Sequence, residues 1–147
     1  MSRPIIRPCE DADVDQVISL WRHCGLIRPW NDPVYDIDFC RRSTEAELLV
    51  LQRLKSIDGA TMVGHDGHRG WFYYLAVMPK FQSKGYGGTL LQAGEAWLRQ
   101  RGVPKISLMI RSDNTGVQDF YRQAGYTRDD VVVMGKRLID PRRNSSE

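Results

Sequence analysis

The residues whose types and spacing bear most directly on chemistry are Gln82, Ser83, Lys84, Gly85, Tyr86, Gly87, Gly88 and Thr89. Before them runs Trp71–Met78, an unbroken apolar segment closed by Pro79; after them Leu90, Leu91, Gly94, Trp97 and Leu98 recur at helical spacing. The pattern predicts a buried strand that feeds a glycine-rich turn and then an amphipathic helix. The first N–H groups of a helix have no carbonyl one turn below them, and the helix dipole adds partial positive charge there. Such a turn binds anions, most often phosphate. Lys84 adds a full charge, worth up to about 4 kcal/mol against an anion roughly 4 Å away at an effective dielectric near 20. An interior glycine costs roughly 0.5–1 kcal/mol relative to alanine, so Gly87, Gly88 and Gly94 suggest a close approach to the helix backbone. The plainer reading of the same residues is a tight turn with a solvated lysine.

A second pair stands further on. Asn114 and Tyr121 are two helical turns apart, which puts them on one helix face, about 10 Å apart along the axis. A helix cap and a core aromatic have the same spacing.

Two familiar phosphate loops do not fit. A Walker A loop ends in Gly-Lys-Ser/Thr, whereas here Lys84 precedes Gly85, and a dinucleotide fingerprint needs glycine where Leu90 stands. Gln82-x-x-Gly85-x-Gly87, after a strand ending near proline, resembles the acetyl-CoA pyrophosphate loop of the GNAT superfamily of N-acetyltransferases. The resemblance runs over roughly residues 3–138 and is to the small bacterial stand-alone members. It implies an acyltransferase that moves an acetyl group from acetyl-CoA to a primary amine of a small molecule, peptide or protein by direct attack. It also implies that the main chain of Leu75, Ala76 and Val77 pairs with the pantetheine arm. The amides of Gln82, Lys84, Gly85, Gly87 and Gly88, with the Thr89 hydroxyl, would then hold the pyrophosphate. Asn114 is expected to contact pantetheine, and Tyr121 to meet the sulfur as general acid; Ala124-Gly125-Tyr126 matches the family's ending of that helix.

For the acceptor, the segment Arg28 to Pro33 and the helix after it are the candidates. Trp30 can form an apolar wall, Arg28 can pair with a substrate carboxylate, and Asp32 or Asp36 can instead recognise an amine. A packed loop with surface charges is the plainer alternative. Many relatives carry a glutamate on the strand before the phosphate loop, but Trp71–Met78 has neither carboxylate nor histidine. The base is then a water relayed to Asp66, His68, Asp32 or Asp36, or absent. Neutralising a lysine amine of pKa about 10.4 at pH 7 costs about 4.6 kcal/mol, against about 1.1 for an α-amino group near 7.8. A site without a strong base therefore favours the less basic amine.

The elements that must position these residues follow in order. Ile5 begins a short strand limited by Pro8. Asp11 or Asp13 is expected to cap a helix through Trp21 that ends at Gly25, and a second helix spans Tyr35 to about Thr44. Strands are expected at Leu48–Leu54, at Ala60–His65 after an Asp58-Gly59 turn, and at Trp71–Met78, as an antiparallel meander. The helix from Tyr86 to about Arg101 permits a crossover to a strand around Ile106–Ile110, parallel to Trp71–Met78. Asp113 or Asn114 then caps a helix ending before Gly125, and a last strand runs from Val131 to about Lys136. The expected fold is a single α/β (α+β) domain over residues 1–147, core about 3–138, with a mixed, mostly antiparallel sheet flanked by about four helices and a polar tail at 140–147.

Composition sets the outer limits. The chain has 147 residues, 41% hydrophobic and 27% charged, with net charge +3, an ordinary globular balance. No apolar run approaches the ~20 residues of a membrane span, and Met1–Pro8 lacks a signal peptide's apolar region, so a soluble cytoplasmic protein is expected. Basic residues are scattered apart from Arg41-Arg42 and Arg142-Arg143, which argues against nucleic acid and is compatible with a phosphate-bearing ligand. Cys9, Cys24 and Cys40 lack Cys-x-x-Cys spacing, so reduced thiols are expected rather than a disulfide framework or zinc site. All lie far in sequence from the phosphate loop, and no covalent enzyme intermediate is expected. His65 and His68 flank Asp66-Gly67 as turn residues, and no metal is expected. Asn144-Ser145-Ser146 matches a glycosylation acceptor without meaning in a cytoplasmic chain. A homodimer is possible. The alternatives to an enzyme are a non-catalytic acyl-CoA-binding sensor or partner module and a basic nucleic-acid-binding domain.

Overall fold

The computed structural model describes residues 3–140. The expected tail beyond Asp140, with Arg142-Arg143 and the Asn144 triplet, lies outside the described residues. The chain divides into two compact units, one ending at Ser107 and one beginning at Leu108.

The first unit is built on a sheet. Strands β1 (Ile5–Pro8), β2 (Ala46–Arg53), β3 (Ser56–His65), β4 (Gly70–Val77) and β5 (Ile106–Ser107) lie in the order β1-β2-β3-β4-β5. All neighbours are antiparallel except β4 and β5, which are parallel as expected from the helical crossover. Successive side chains of a strand point to opposite faces, and β2 feeds both. Leu48 and Val50 join Val17, Leu20, Trp21 and Ile37 beneath helices α1 (Val14–His23) and α2 (Pro33–Arg41). Leu51 joins Val77 and Leu90 beneath helix α3 (Tyr86–Gln100).

Two local expectations are corrected here. The hairpin between β2 and β3 turns at Leu54-Lys55, with Leu54 at φ 57, not at Asp58-Gly59, which lies inside β3. Asp58 is buried and accepts from Arg53 Nε at 3.1 Å and from the Ser56 hydroxyl. A Cβ on Gly59 would stand 2.9 Å from Leu90 Cδ1. This aspartate and glycine therefore serve an ion pair and a helix contact, which local turn preference does not encode. Nor does Asp13 cap α1 with its side chain. Its carboxylate accepts from Arg7 Nη1 at 2.6 Å and from the Glu10 N–H at 2.8 Å, tying β1 to a 3-10 turn at Asp11–Asp13. The Arg7 hydrogen bond holds the Asp13 carboxyl below its ordinary value.

In the second unit, helix α4 (Thr115–Gln123) follows the Asn114 cap, as expected. The last strand does not form: residues 131–136 have neither helix nor strand conformation. Val131, Val132, Val133 and Met134 are 63–90% exposed. An apolar run becomes a strand only where a neighbour completes its hydrogen bonds, and among the described residues none pairs with it. The expected strand around Ile106–Ile110 is likewise reduced to β5. The chain is thus a mixed α/β fold: a mostly antiparallel five-stranded sheet with four α-helices among the described residues.

Candidate functional site

After β4, Pro79–Phe81 forms a 3-10 turn, which the Gln82 N–H closes onto the Pro79 carbonyl at 3.3 Å. The Phe81 ring anchors this turn: the Arg53 guanidinium lies 4.2 Å from its centre and the Tyr86 ring 6.2 Å away. Ser83 and Gly85 both take positive φ, at 67 and 85. Gly85 is the N-cap of α3 and supplies no side chain to its first turn. The N–H groups of Tyr86, Gly87 and Gly88 belong to that first turn, which has no intrahelical acceptor. The Thr89 N–H finds the Gly85 carbonyl at 3.0 Å, and its hydroxyl donates to the same oxygen. Residues 82–85 are exposed, and apart from the adjoining residues and the helix's own backbone nothing lies within 4 Å of where a Cβ on Gly85 or Gly88 would be. The main chain is open to a ligand there, and Lys84 is exposed beside it. This arrangement fits a diphosphate. Gly94 has another purpose: its Cβ would fall 2.2 Å from Phe72 Cε1, so it admits a core ring rather than a ligand.

Leu75, Ala76 and Val77 end β4. Pairing between β4 and β5 stops at Trp71↔Ser107, so residues 72–77 have a strand partner on one side only among the described residues. An open strand edge can receive an extended arm through main-chain hydrogen bonds. The edge is not straight. The β3–β4 register shifts between Ala60 and Met62, and opposite the shift Tyr74 takes φ 54, a conformation costing of order 1–3 kcal/mol for a residue with a side chain. A bulge of this kind re-aims the side chains near a site. At the strand end the Val77 carbonyl accepts from Gln82 Nε2 at 3.0 Å and from Cys24 Sγ at 3.2 Å. Cys24 is thus remote from the loop in sequence but bonded to the strand that enters it. Burial raises its thiol above the ordinary value, and pushes Cys9 to about 11 and Cys40 to about 12.

The five acceptor candidates separate. Asp32 caps α2, accepting from the Val34 and Tyr35 N–H groups. The Arg28 guanidinium donates to the Gly25 carbonyl at 2.8 Å. Asp66 holds the β3–β4 hairpin: Oδ1 accepts from the His68 and Arg69 N–H groups and Oδ2 from Trp71 Nε1. These bonds, the Arg69 N–H first, lower its carboxyl to about 2. His65, on the same hairpin, pairs with Glu45 at 2.6 Å. Trp30 is 46% exposed. Asp36 faces the sheet, where Oδ2 accepts the Tyr74 hydroxyl at 2.7 Å. Tyr74 and Asn31, whose Nδ2 donates to the Tyr74 oxygen at 3.4 Å, were not indicated by the sequence. Neither a positive φ inside a strand nor a contact across 38 residues leaves a local signal.

In the second unit Asn114 Oδ1 accepts the Val117 N–H at 3.2 Å, as a helix cap. Tyr121, two turns along α4, is 7% exposed and packs edge-on against Phe120 and Tyr126. Burial pushes its phenol up to about 12.

Known proteins share both the sequence and the fold. The family model described as acetyltransferase (GNAT) family matches residues 14–126, through both units. An acetyltransferase of Yersinia enterocolitica is 42% identical over 134 residues, covering 91% of this chain and 95% of that protein. An acetyltransferase of Yersinia pseudotuberculosis is 41% identical over the same shares. Among solved structures, the aminoglycoside acetyltransferase AAC(6')-Iy in complex with a CoA bisubstrate analogue superposes with TM-score 0.80 at 14% identity, covering 94% of this chain and 100% of that one. A transcriptional regulator from Bacillus halodurans superposes with TM-score 0.78 at 16% identity, covering 92% and 100%. Among the described residues no helix is long and apolar enough to cross a membrane. On the family match and the identity to these acetyltransferases, the chain belongs to the acetyltransferase (GNAT) family and is an acyltransferase.

Proposed function

We propose that residues 1–147 act as one N-acetyltransferase domain that moves an acetyl group from acetyl-CoA to a primary amine by direct attack. The observation that carries this reading is the uncapped N-terminus of α3, opened by Gly85 at φ 85 with free space above it, directly after a strand whose residues 72–77 have a strand partner on one side only among the described residues. Support also comes from the CoA and CoA-analogue complexes known for a protein of the same fold.

When bound, the thioester supplies the electrophilic carbonyl. The main chain of Ser83 to Gly88, with Lys84, holds the diphosphate by unpaired N–H groups and charge. The Leu75–Val77 main chain aligns the pantetheine arm. Asn114 contacts that arm, and Tyr121 hydrogen-bonds the sulfur as the thiolate leaves. With the phenol pushed up to about 12 and an ordinary thiol near 8.5, complete proton transfer is uphill by roughly 5 kcal/mol. Tyr121 therefore acts through a hydrogen bond that strengthens as the C–S bond breaks. Its raised value keeps it protonated through the neutral and mildly alkaline range, so the contribution of Tyr121 is lost only as pH rises toward about 12.

The test is release of free CoA from acetyl-CoA with a panel of amines, by wild type and Tyr121→Phe. Loss of about 10²-fold in kcat with acetyl-CoA affinity retained is expected. Near-normal turnover by the variant would remove Tyr121 from the reaction. A non-catalytic acyl-CoA-binding module is the second reading, favoured by the lack of carboxylate and histidine in Gly70–Val77; it predicts binding of acetyl-CoA with no CoA release by any amine.

A further inference from the structure

Val77 ends β4 and is held from several directions. Its side chain is buried with Leu51 and Leu90 beneath α3. Next to it, the Met78 N–H pairs with the Asp58 carbonyl of β3 at 2.8 Å. Main-chain groups of successive strand residues point to opposite edges. Those of Val77 therefore point to the edge that has no strand partner among the described residues. Its carbonyl is nevertheless occupied. Gln82 Nε2 donates to it at 3.0 Å and Cys24 Sγ at 3.2 Å, which engages both of its lone pairs. The two donors come from different places. Gln82 lies just beyond the Pro79–Phe81 turn, at the start of the loop that carries Gly85. Cys24 is the C-cap of α1, held there by its own N–H on the Leu20 carbonyl at 3.0 Å. Burial raises the Cys24 thiol above its ordinary value, so it keeps the hydrogen that it donates. One carbonyl thus ties together the strand end, the glycine-rich turn and a helix on the opposite face of the sheet.

We propose that Gln82 and Cys24 are positioning residues for acetyl-CoA: through the Val77 carbonyl they hold the strand that takes the pantetheine arm at a set distance from the turn that takes the diphosphate. This deepens the acetyl-CoA reading and rests on it. CoA reaches both subsites with one molecule. Such a ligand keeps the affinity of both only where they are held at its own spacing. The link between them is a short 3-10 turn followed by Ser83 and Gly85 at positive φ, and the Gln82 side chain bridges back across that turn to the strand. Cys24 fixes the same carbonyl from α1. The Gln82 side chain then serves the ligand without touching it, and only its main chain belongs to the diphosphate turn. The Val77 carbonyl, with both lone pairs engaged, is a fixed point of the site rather than an acceptor for the arm.

The experiment measures the Kd of CoA and of ADP by calorimetry on the full chain. ADP carries the diphosphate and reaches only the turn, whereas CoA reaches turn and strand. Gln82→Met removes the donor on an exposed loop residue and should fold. It should weaken CoA about fivefold, the worth of one hydrogen bond, and leave ADP within about twofold. Cys24→Ala should do the same, and Cys24→Ser, which restores a donor, should recover most of the CoA affinity. Gly94→Ala, which disturbs packing alone, should leave the ratio of the two constants at its wild-type value. Equal loss of CoA and ADP in Gln82→Met would put that side chain on the diphosphate itself. Unchanged CoA affinity in Gln82→Met would leave the carbonyl bond without a role. Either result overturns the proposal while leaving acetyl-CoA binding in place, as does a wild type that binds CoA but not ADP, since the turn then has no hold of its own. Cys24→Ser no better than Cys24→Ala removes Cys24 from the pair. A wild type that binds neither ligand defeats the acetyl-CoA reading and this inference with it. Should Cys24→Ala fail to fold, Gln82→Met decides alone.

Discussion

Gly85 and Asp32 stand at the same point of two helices, and they start those helices in opposite ways. Asp32 turns its carboxylate back onto the Val34 and Tyr35 N–H groups, so the first turn of α2 is satisfied within the chain. Gly85 offers α3 no side chain, lies at φ 85, and leaves the first turn facing open space. Asn114 repeats the Asp32 arrangement at α4. The dipole and the orphan N–H groups are common to every helix. What separates a structural N-terminus from one available to a ligand is whether the chain has supplied its own acceptor.

Four changes break or sharpen this contrast. The largest effect is expected from Gly85→Glu, which puts a carboxylate over the open turn. At acetyl-CoA a hundredfold above its Kd, wild type should gain about 2.7 kcal/mol, read as a thermal shift of several degrees. The variant should fold and show no shift; a retained shift would mean that the diphosphate is held elsewhere. Gly94→Ala comes next. It presses a methyl onto the Phe72 ring and should destabilise the chain by about 1–3 kcal/mol with acetyl-CoA affinity kept in the folded protein. Recovery of the melting temperature by a second change, Phe72→Leu, would confirm a packing role, and weakened acetyl-CoA affinity would contradict it. Asp32→Ala removes the α2 cap and should cost about 1 kcal/mol, largely restored by Asp32→Asn, with the ligand-induced shift unchanged. Arg28→Ala should be smallest, within about 0.5 kcal/mol of wild type and without effect on acceptor choice; an altered acceptor preference would return Arg28 to the substrate site.

The two sides of the site differed in how far they could be read from the chain. Gln82-x-x-Gly85-x-Gly87 is a pattern of main-chain conformations, and glycine records such a pattern locally. The acceptor side depends on which neighbour each side chain meets. Arg28, Asp32, Asp36 and Asp66 are alike in sequence as loop or helix-start charges, yet one meets a carbonyl, one its own helix, one Tyr74 and one a hairpin. Gly94 carried a true signal of close approach, but the approaching group is Phe72, and Gly59, expected in a turn, instead admits Leu90; no spacing rule identifies either neighbour.

From the amino-acid order alone came the alternation of strands and helices in the first unit, the parallel return after α3, the α4 cap and the glycine-rich opening of α3. All but the parallel return, which follows from the length of the helical crossover, rest on preferences within a few residues of one another. Folding in three dimensions decided the rest: the Leu54-Lys55 hairpin, the β4 bulge at Tyr74, the Cys24–Val77 bond, the pairing of Asp36 with Tyr74 and, among the described residues, the lack of a strand partner for residues 131–136. Apart from the hairpin, closed by Arg53 and Ser56, each of these depends on a partner distant along the chain, and hydrogen bonds and packing between such partners leave no local trace in the sequence.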